Sequence, residues 1–215
     1  MFAKLTPRFH AALAYASMIH DDQVRKGDAP GKRRKGEAIP YVAHLLGVCA
    51  LALSNGADET EAIAALLHDA AEDQGGEDQL RRIAGLFGDE VARIVRGCSD
   101  SMADVTKGEV KEPFEPRRRR YLAHLEADAD ASILLVSASD KVDNLRAIVR
   151  DYDRVGERLW ERFSGRRDGT IWYYETLVCI FRDKARRDSR LEPLARELAE
   201  LFKRLPARDP AYGTV

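Results

Sequence analysis

A run rich in alanine and leucine, from Glu61 to Asp73, carries four ionisable side chains in its second half, directly after six apolar residues, and this conflict constrains the fold more than any other feature. Alanine and leucine favour a helix, and Asp58 followed by Glu61 is the signature of an N-terminal capping box. The period of a helix would place the four ionisable groups along one edge. They are His68, Asp69, Glu72 and Asp73. Placing these groups along one edge of an apolar helix costs free energy unless a positively charged group lies among them.

A divalent metal ion would supply that positive charge. His68 and Asp69 would hold the ion, which would leave Glu72 and Asp73 to handle water and protons. An isolated His-Asp pair on a helix is, however, more often a solvated pair or one that is satisfied within the core. Partners elsewhere in the sequence are therefore needed to support the metal.

Length and composition are those of an ordinary globular protein. The 215 residues, of which 45% are hydrophobic and 33% charged, can bury one core, so we expect a single domain over residues 1–215. A net charge of −1 provides no overall basic field for binding nucleic acid. The N-terminus lacks the apolar core of a signal peptide, and no apolar run approaches the ~20 residues that cross a bilayer. We therefore expect a cytoplasmic protein that contacts neither nucleic acid nor membrane.

The three cysteines, Cys49, Cys98 and Cys179, lie far apart in apolar helical contexts. An odd number with wide spacing is unlike a disulfide framework or a zinc knuckle. We interpret all three as buried thiols in a reducing compartment.

Apolar residues recur at helical spacing along most of the chain, and no alternation is long enough to indicate a sheet. The spacing predicts helices over residues 7–24, 41–53, 58–75, 77–87, 89–98, 117–125, 130–152, 155–163, 169–186 and 191–205. We therefore predict an all-α bundle of roughly eight to ten helices, with the motifs in residues 7–150 and a helical extension in 151–205. His10 and His20 lie nearly three turns apart on the first helix, so we expect both on the surface.

Two segments without an apolar period are expected to be loops. Residues 25–37 combine glycines with a cluster of basic residues, and they form either a solvated linker or, as we prefer, a clamp for phosphates or a base. Four of these basic residues are candidate substrate contacts: Arg25, Lys26, Arg34 and Lys35. Residues 100–116 form a long exposed loop or a lid.

Four consecutive arginines, residues 117–120, open the helix that follows this second loop. They cannot all point in one direction on a helix, so one or two could face an anionic ligand while the others are solvated. Arg117 and Arg118 are our candidates for the ligand. The alternative is a fully solvated charged face.

Two further residues provide partners for the His-Asp pair. His44 lies in the first turn of the second predicted helix, and Asp140 lies on a buried helix, where a carboxylate needs a positive partner. Together with His68 and Asp69 they offer two imidazoles and two carboxylates from three predicted helices. This mixed nitrogen and oxygen set, with water in the open positions, would accept manganese, iron or zinc.

The order His…His-Asp…Asp resembles that of the HD-domain metal-dependent phosphohydrolases. Three motifs narrow the resemblance to the hydrolase domain of the RelA/SpoT proteins: Pro40-Tyr-Val-Ala-His44, His68-Asp-Ala-Ala-Glu72-Asp73 and Asp140-Lys-Val-Asp-Asn144-Leu. With no synthetase or regulatory region beside them, the chain is similar to the small alarmone hydrolases. The Glu-Asp pair is the most specific part, because most HD phosphohydrolases lack it.

The resemblance implies a role for each matching residue. The metal ligands, generally to manganese, would be His44, His68, Asp69 and Asp140. Glu72 and Asp73 would orient and activate the attacking water, and Asn144 would contact the sugar region of a nucleotide.

The purine would be held by an Arg-Lys pair upstream of the first histidine. Arg25-Lys26 has the expected context after the first helix, whereas Arg34-Lys35 has the more usual distance to the Pro-Tyr dipeptide. A basic insertion separates the two pairs, so either can take the role. The identity of the base stays open.

The resemblance implies a manganese-dependent pyrophosphohydrolase that removes the 3′-diphosphate from guanosine tetraphosphate or a related alarmone and releases pyrophosphate. Two alternatives stay open: the same chemistry on another nucleotide, such as an adenosine alarmone, a nucleoside monophosphate or NADPH, and a non-catalytic nucleotide sensor. In each case the partner is a small-molecule nucleotide, and a homodimer is left open. A helical scaffold with scattered acids would require coincidence at three separate sites.

Overall fold

The described part of the chain consists of helices joined by turns and loops, which confirms the predicted all-α fold. The computed structural model describes residues 4–25, 39–127, 129–209 and 211–212. Within these ranges the one β-type contact is an isolated antiparallel bridge between Val24 and Pro40. The α-helices are α1 (Pro7–Ile19), α2 (Val42–Ser54), α3 (Glu59–Leu67), α4 (Ala70–Asp73), α5 (Gly76–Phe87), α6 (Asp89–Cys98), α7 (Phe114–Ala127), α8 (Ala131–Val155), α9 (Arg166–Lys184) and α10 (Glu192–Phe202). Short 3-10 helices cover Val105–Lys107, Gly156–Arg162 and Ser189–Leu191.

Helices α3 and α8 lie at the centre of the fold. Every side chain from Ala62 to Leu67 in α3 is fully buried, and most side chains in the first half of α8 are buried. α3 packs against α1, α2, α6 and α8, while α8 also packs against α2, α6 and α10. A helix that is apolar on all sides needs neighbours on all sides. These two helices therefore bring the residues that flank them into the core.

The predicted third helix is interrupted where its ionisable residues begin, so the prediction of one continuous helix is wrong. α3 ends at Leu67, His68 and Asp69 form a turn, and α4 is a single turn that closes at Asp73. Consecutive residues on a regular helix point roughly 100° apart. The backbone of the turn stays in the right-handed helical region, yet His68 Nε2 lies 3.1 Å from Asp69 Oδ2, so that both side chains face one point.

Two expectations about exposure are also wrong. His20 is buried rather than on the surface, because its ring is stacked on the ring of Tyr41. Cys179 is exposed on the outer face of α9, whereas Cys49 and Cys98 are buried free thiols as predicted. A periodic pattern shows which residues share a face of a helix, but it does not show what another segment places against that face.

The segment of residues 100–116 is only partly the exposed loop that we predicted. Asp100 and Asp104 are buried, and the 3-10 helix Val105–Lys107 and the start of α7 at Phe114 occupy much of the rest. Buried charged side chains take the place of apolar ones in this segment, so its sequence shows no apolar period although part of it is folded against the core. The helix predicted over residues 155–163 is a 3-10 helix, Gly156–Arg162, instead of an α-helix. None of the helices in the described ranges has both the length and the apolar character needed to cross a membrane.

Glu61 joins the centre of the fold to the C-terminal extension. The predicted capping box is present: the backbone N–H of Glu61 donates to Asp58 Oδ1 at 2.8 Å, and the backbone N–H of Asp58 donates to Glu61 Oε2 at 2.9 Å. The same carboxylate accepts a hydrogen bond from Ser132 Oγ at 2.8 Å and from Arg190 Nη1 at 3.0 Å. Three separate segments therefore satisfy this buried acid.

Replacing Glu61 with alanine is expected to lower the free energy of unfolding by about 2–3 kcal/mol, because the Glu61 half of the capping box is lost and Arg190 loses its buried partner. Arg190 is partly exposed, which keeps the loss below that of a fully buried pair. Glu61→Gln keeps the volume and one acceptor, so its loss should be smaller. Chemical denaturation measures both, and a loss under about 0.5 kcal/mol for the alanine variant would contradict this role.

Candidate metal centre

Three of the predicted ligands converge in the core. His44 from α2, His68 from the turn after α3 and Asp140 from α8 each contribute one ligand atom to a group whose atoms all lie within 4.8 Å of one another. Asp140 Oδ1 lies 3.1 Å from His44 Nε2 and 3.4 Å from His68 Nε2. Atoms that bind one cation at about 2.1 Å and at right angles are themselves about 3 Å apart. The arrangement therefore fits a single divalent ion.

Asp69 lies beside these three ligands. Its Oδ2 atom is 3.1 Å from His68 Nε2 and 3.5 Å from His44 Nε2, and it accepts a hydrogen bond from the Tyr41 hydroxyl at 2.5 Å. The buried Nε2 atom of His68 has no hydrogen-bond partner among the described residues. A buried polar atom without a partner is costly, and a metal ion would satisfy it. Two imidazole nitrogens and two carboxylate oxygens thus form a donor set that suits such an ion.

The second nitrogen of each imidazole is held by a hydrogen bond. His68 Nδ1 donates to the carbonyl oxygen of Ala65 at 2.8 Å, and His44 Nδ1 donates to Asp143 Oδ2 at 2.6 Å. A carbonyl or a carboxylate only accepts, so Nδ1 carries a proton in both rings. In the neutral form of each ring the Nε2 lone pair therefore points at the shared centre.

Protons and a metal ion compete for these nitrogen atoms. Burial lowers the pKa of His44, but hydrogen bonds with three surrounding carboxylates outweigh burial and raise the pKa to about 9. The pKa of His68 is also raised against the effect of burial, by the charges of Asp69 and Asp140. The pKa of Asp140 lies well below its usual range, because Lys141 and the two histidines outweigh burial. The centre is therefore strongly cation-attracting.

The predicted acid pair lines the same cavity as the two carboxylate ligands, Asp69 and Asp140. Glu72 and Asp73 lie on α4, directly after the His-Asp turn. Lys111 Nζ donates to Glu72 Oε1 at 2.8 Å, and Gln23 Nε2 donates to Asp73 Oδ2 at 2.8 Å. Burial, followed by the negative charge of Asp100, raises the pKa of Glu72 to about 7. Glu72 can therefore exchange a proton near neutral pH.

The acid pair and the carboxylate ligands Asp69 and Asp140 line a cavity of about 540 Å³, a volume typical of small-molecule sites. Basic side chains on its walls come from Arg25, Lys111, Arg118, Lys141 and Arg150, and aromatic rings come from Tyr41, Phe114, Phe163, Tyr173 and Tyr174. Cationic groups bind phosphates, and aromatic rings pack against planar bases. The cavity is therefore suited to a nucleotide with several phosphates.

Two of the predicted substrate contacts lie on one wall of this cavity. Arg25 Nη1 donates to Asp143 Oδ2 at 3.1 Å, and Arg25 Nη2 donates to Asn144 Oδ1 at 3.0 Å. Asn144 Nδ2 in turn donates to Asp140 Oδ1 at 2.5 Å. This wall is thus connected to the metal ligands by hydrogen bonds. The remaining basic candidates Lys26, Arg34 and Lys35 lie outside the described residues.

The two candidate arginines of α7 have different surroundings. Arg118 lines the cavity, and its guanidinium carbon lies 4.5 Å from the centre of the Tyr173 ring and 5.7 Å from that of Phe114. Arg117 is buried, forms an ion pair with Asp100 and does not line the cavity. Arg118 shares Asp100 as a partner. Only Arg118 is therefore placed to meet a ligand directly.

Several residues at the site were missed by the sequence reasoning. Lys141, whose Nζ donates to Asp140 Oδ2 at 2.5 Å, and Asp143 stand inside the quoted Asp140 motif, and their charges on a buried helix were an available signal. Tyr41 likewise stands inside the motif that ends at His44. Lys111 had no such signal, because it lies in a segment without a period and meets the acid pair only through the tertiary fold.

A family model described as "HD domain" matches residues 12–171, which include all four candidate ligands and the acid pair. Guanosine-3′,5′-bis(diphosphate) 3′-pyrophosphohydrolase of Aquifex aeolicus (strain VF5) is 36% identical over 121 residues, which are 54% of this chain and 15% of that protein. The enzyme of the same description, MESH1, from Danio rerio is 32% identical over 121 residues, 55% of this chain and 61% of that protein. GTP pyrophosphokinase of Myxococcus xanthus is 29% identical over 71% of this chain and 18% of its own length.

Solved structures share the same fold. The structure described as "A metazoan ortholog of SpoT hydrolyzes ppGpp and plays a role in starvation responses" aligns with a TM-score of 0.65 and 24% identity, over 94% of this chain and 97% of that one. The protein lmo0812 from Listeria monocytogenes EGD-e aligns with a TM-score of 0.60 and 26% identity, over 74% and 96%. The chain spans less than a fifth of the length of the Aquifex and Myxococcus relatives, at 15% and 18%.

Uptake of a divalent metal is expected to strengthen as the pH rises from mildly acidic values toward about 9, because His44 and His68 must release their protons to bind it. Titration calorimetry with Mn²⁺ at several pH values measures this dependence. His10→Gln, a change at an exposed histidine of α1, should leave the profile unchanged, whereas Asp140→Ala should abolish uptake at every pH. A metal affinity that does not vary between neutral pH and 9 would contradict the assignment.

Proposed function

The chain belongs to the HD-domain family, and we propose that it is a manganese-dependent pyrophosphohydrolase that removes the 3′-diphosphate from guanosine tetraphosphate or a closely related alarmone. The observation that carries this proposal is that Glu72 and Asp73 line one nucleotide-sized cavity together with Asp69 and Asp140, the carboxylates beside the histidines of the metal centre. The printed activities of the Aquifex and Danio relatives support the choice of substrate.

The metal ligands in this proposal are His44, His68, Asp69 and Asp140. A divalent cation held there would lower the pKa of a bound water and offset the charge of the phosphate under attack. The mixed nitrogen and oxygen set favours manganese, while iron and zinc fit the same set. Lys141 occupies Oδ2 of Asp140 and so directs Oδ1 toward both histidines, whereas Tyr41 donates to Oδ2 of Asp69, the same oxygen that lies near the histidines, and so fixes its position.

The acid pair supplies proton handling. In the proposed reaction the bond between phosphorus and the 3′-oxygen breaks, the water oxygen joins the pyrophosphate, and a proton reaches the 3′-oxygen. Glu72, with its pKa raised to about 7 by burial and by Asp100, is suited to accept and return that proton. Asp73, whose carboxylate is held by Gln23, orients the water.

In this proposal the substrate is held by several groups that line the cavity. Lys111 and Arg118 are placed to bind phosphates, and Arg118 is already held by Asp100 and two aromatic rings. Asn144 is placed for the sugar. Both terminal nitrogens of Arg25 are engaged by neighbouring side chains, so Arg25 offers its planar face to a base. From the sequence, either Arg25-Lys26 or Arg34-Lys35 is proposed to hold the purine, and we assign Arg117 to the support of Arg118.

We also propose that the chain acts in the cytoplasm as one domain over residues 1–215, alone or as a homodimer, and without nucleic acid. The net charge of −1 and the buried free thiols Cys49 and Cys98 support this part. Light scattering coupled to size-exclusion chromatography tests the oligomeric state.

A second candidate function is the same reaction on another nucleotide. Among the described cavity residues, the polar groups that we assign contact phosphate, sugar and metal, and none is committed to one edge of a base. An adenosine alarmone, a nucleoside monophosphate and NADPH are therefore rivals. A panel of these nucleotides and guanosine tetraphosphate separates the candidates. Each nucleotide is assayed once with Mn²⁺ and once with a chelator, and the release of pyrophosphate and of orthophosphate is measured. Tight nucleotide binding without turnover in the metal-loaded protein would instead indicate a sensor.

Asp73→Asn is expected to keep the bound metal but to lower kcat by at least about 100-fold, because the amide cannot orient the water as a carboxylate does. Steady-state assays and metal analysis of the same sample measure both quantities. Glu77→Gln, at an exposed acid in the first turn of α5, is the matched control and should retain full activity. Near-normal turnover of Asp73→Asn would show that the role assigned to Asp73 is wrong.

A further inference from the structure

Gly47 stands in the middle of α2, where glycine costs about 0.5–1 kcal/mol relative to alanine. The structure gives a reason for this cost: a Cβ atom at residue 47 would lie 2.5 Å from Asp143 Oδ1 and 3.1 Å from Asp143 Cγ. α2 therefore omits a side chain at the point where a carboxylate of α8 approaches it. Gly85, in the interior of α5, has open space around the same position, so close approach is not a general property of the helical glycines.

The carboxylate that occupies this space connects two parts of the site. Asp143 Oδ2 accepts the hydrogen bond from His44 Nδ1 at 2.6 Å and the one from Arg25 Nη1 at 3.1 Å. His44 is a candidate metal ligand, whereas Arg25 lies on the substrate wall. A single oxygen atom thus touches both the metal side and the nucleotide side of the cavity.

Each of these contacts restricts its partner. An imidazole that donates from Nδ1 to a carboxylate has its ring plane and its tautomer fixed, with Nε2 free to bind a metal. An arginine held by a carboxylate and by the amide of Asn144 loses less rotamer freedom when a ligand arrives. The half-buried position of Asp143 strengthens both contacts relative to solvent.

We propose that Asp143, seated in the space left by Gly47, is a positioning residue that aligns His44 for the metal and Arg25 for the nucleotide. The proposal rests on the proposed function, because it requires His44 to bind a metal. Asp143 itself touches neither the metal nor the substrate. Its displacement weakens metal binding and raises KM through two different partners.

Gly47→Ala tests the proposal without removing any charged group. The added methyl group displaces the Asp143 carboxylate, so the dissociation constant for Mn²⁺ is expected to rise about 10- to 100-fold, with an increase in KM. The thermal midpoint should change little, because the higher helix propensity of alanine offsets the contacts that the displaced Asp143 loses. Gly85→Ala is the matched control: it adds the same methyl group to a helix interior, and it should leave metal affinity and KM unchanged.

Two further variants separate the two contacts. Asp143→Ala should reproduce the loss of metal affinity, and Gly47→Ala combined with Asp143→Ala should bind Mn²⁺ no worse than Asp143→Ala alone, since Gly47 acts only through Asp143. Arg25→Met should raise KM while the Mn²⁺ dissociation constant stays within about twofold of the wild type. Calorimetry on chelator-stripped protein gives the metal affinity independently of turnover.

The outcomes distinguish this inference from the proposed function. Wild-type protein that binds Mn²⁺ and cleaves the alarmone, together with Gly47→Ala and Asp143→Ala variants of unchanged metal affinity, would overturn the role of Asp143 alone. Additive losses in the double variant would overturn the link between Gly47 and Asp143. Wild-type protein that takes up no divalent ion would overturn the metal centre itself and this inference with it.

Discussion

The gathering of two imidazoles and two carboxylates in an apolar core is the constraint on which the rest of the structure depends. Buried charges cost several kcal/mol each unless they are paired, and Asp140 Oδ1 lies within 3.4 Å of two histidine nitrogens. The fold meets this constraint by interrupting its central helix. The regular hydrogen bonding of α3 stops at Leu67, and the backbone of His68 and Asp69 stays in the right-handed helical region while their side chains reach the same point. The regular helices that surround this turn hold it in place.

Each group at the centre is also held from outside by a second contact. A backbone carbonyl holds His68, Asp143 holds His44, Tyr41 holds Asp69 and a lysine holds Asp140. Ligands that are fixed in this way lose little conformational entropy when a cation binds, and their angles are set before it arrives. One of these contacts also explains why α2 and α8 pack closely. Asp143, which holds the α2 ligand His44, stands on α8.

The sequence allowed the helices and the convergence to be predicted, but not the direction of individual side chains. His44 and Asp140 could be placed because each is an ionisable group on an apolar helix, which is a local signal. The turn at His68 and the different surroundings of Arg117 and Arg118 depend on what other helices place nearby, and a local period carries no such information. Segments whose order rests on buried charge, such as that around Asp100, show no apolar pattern at all.

Asp100 illustrates how one buried acid can serve both halves of the proposed reaction. It pairs with Arg117 and Arg118, and so holds the Arg118 guanidinium in place between its aromatic neighbours before any phosphate is bound. Its negative charge also contributes, after burial, to the raised pKa of Glu72. Because these effects have one source, an arginine that is pre-oriented for phosphate and a carboxylate that can exchange a proton at neutral pH arise together. Neither property can be altered at Asp100 without altering the other.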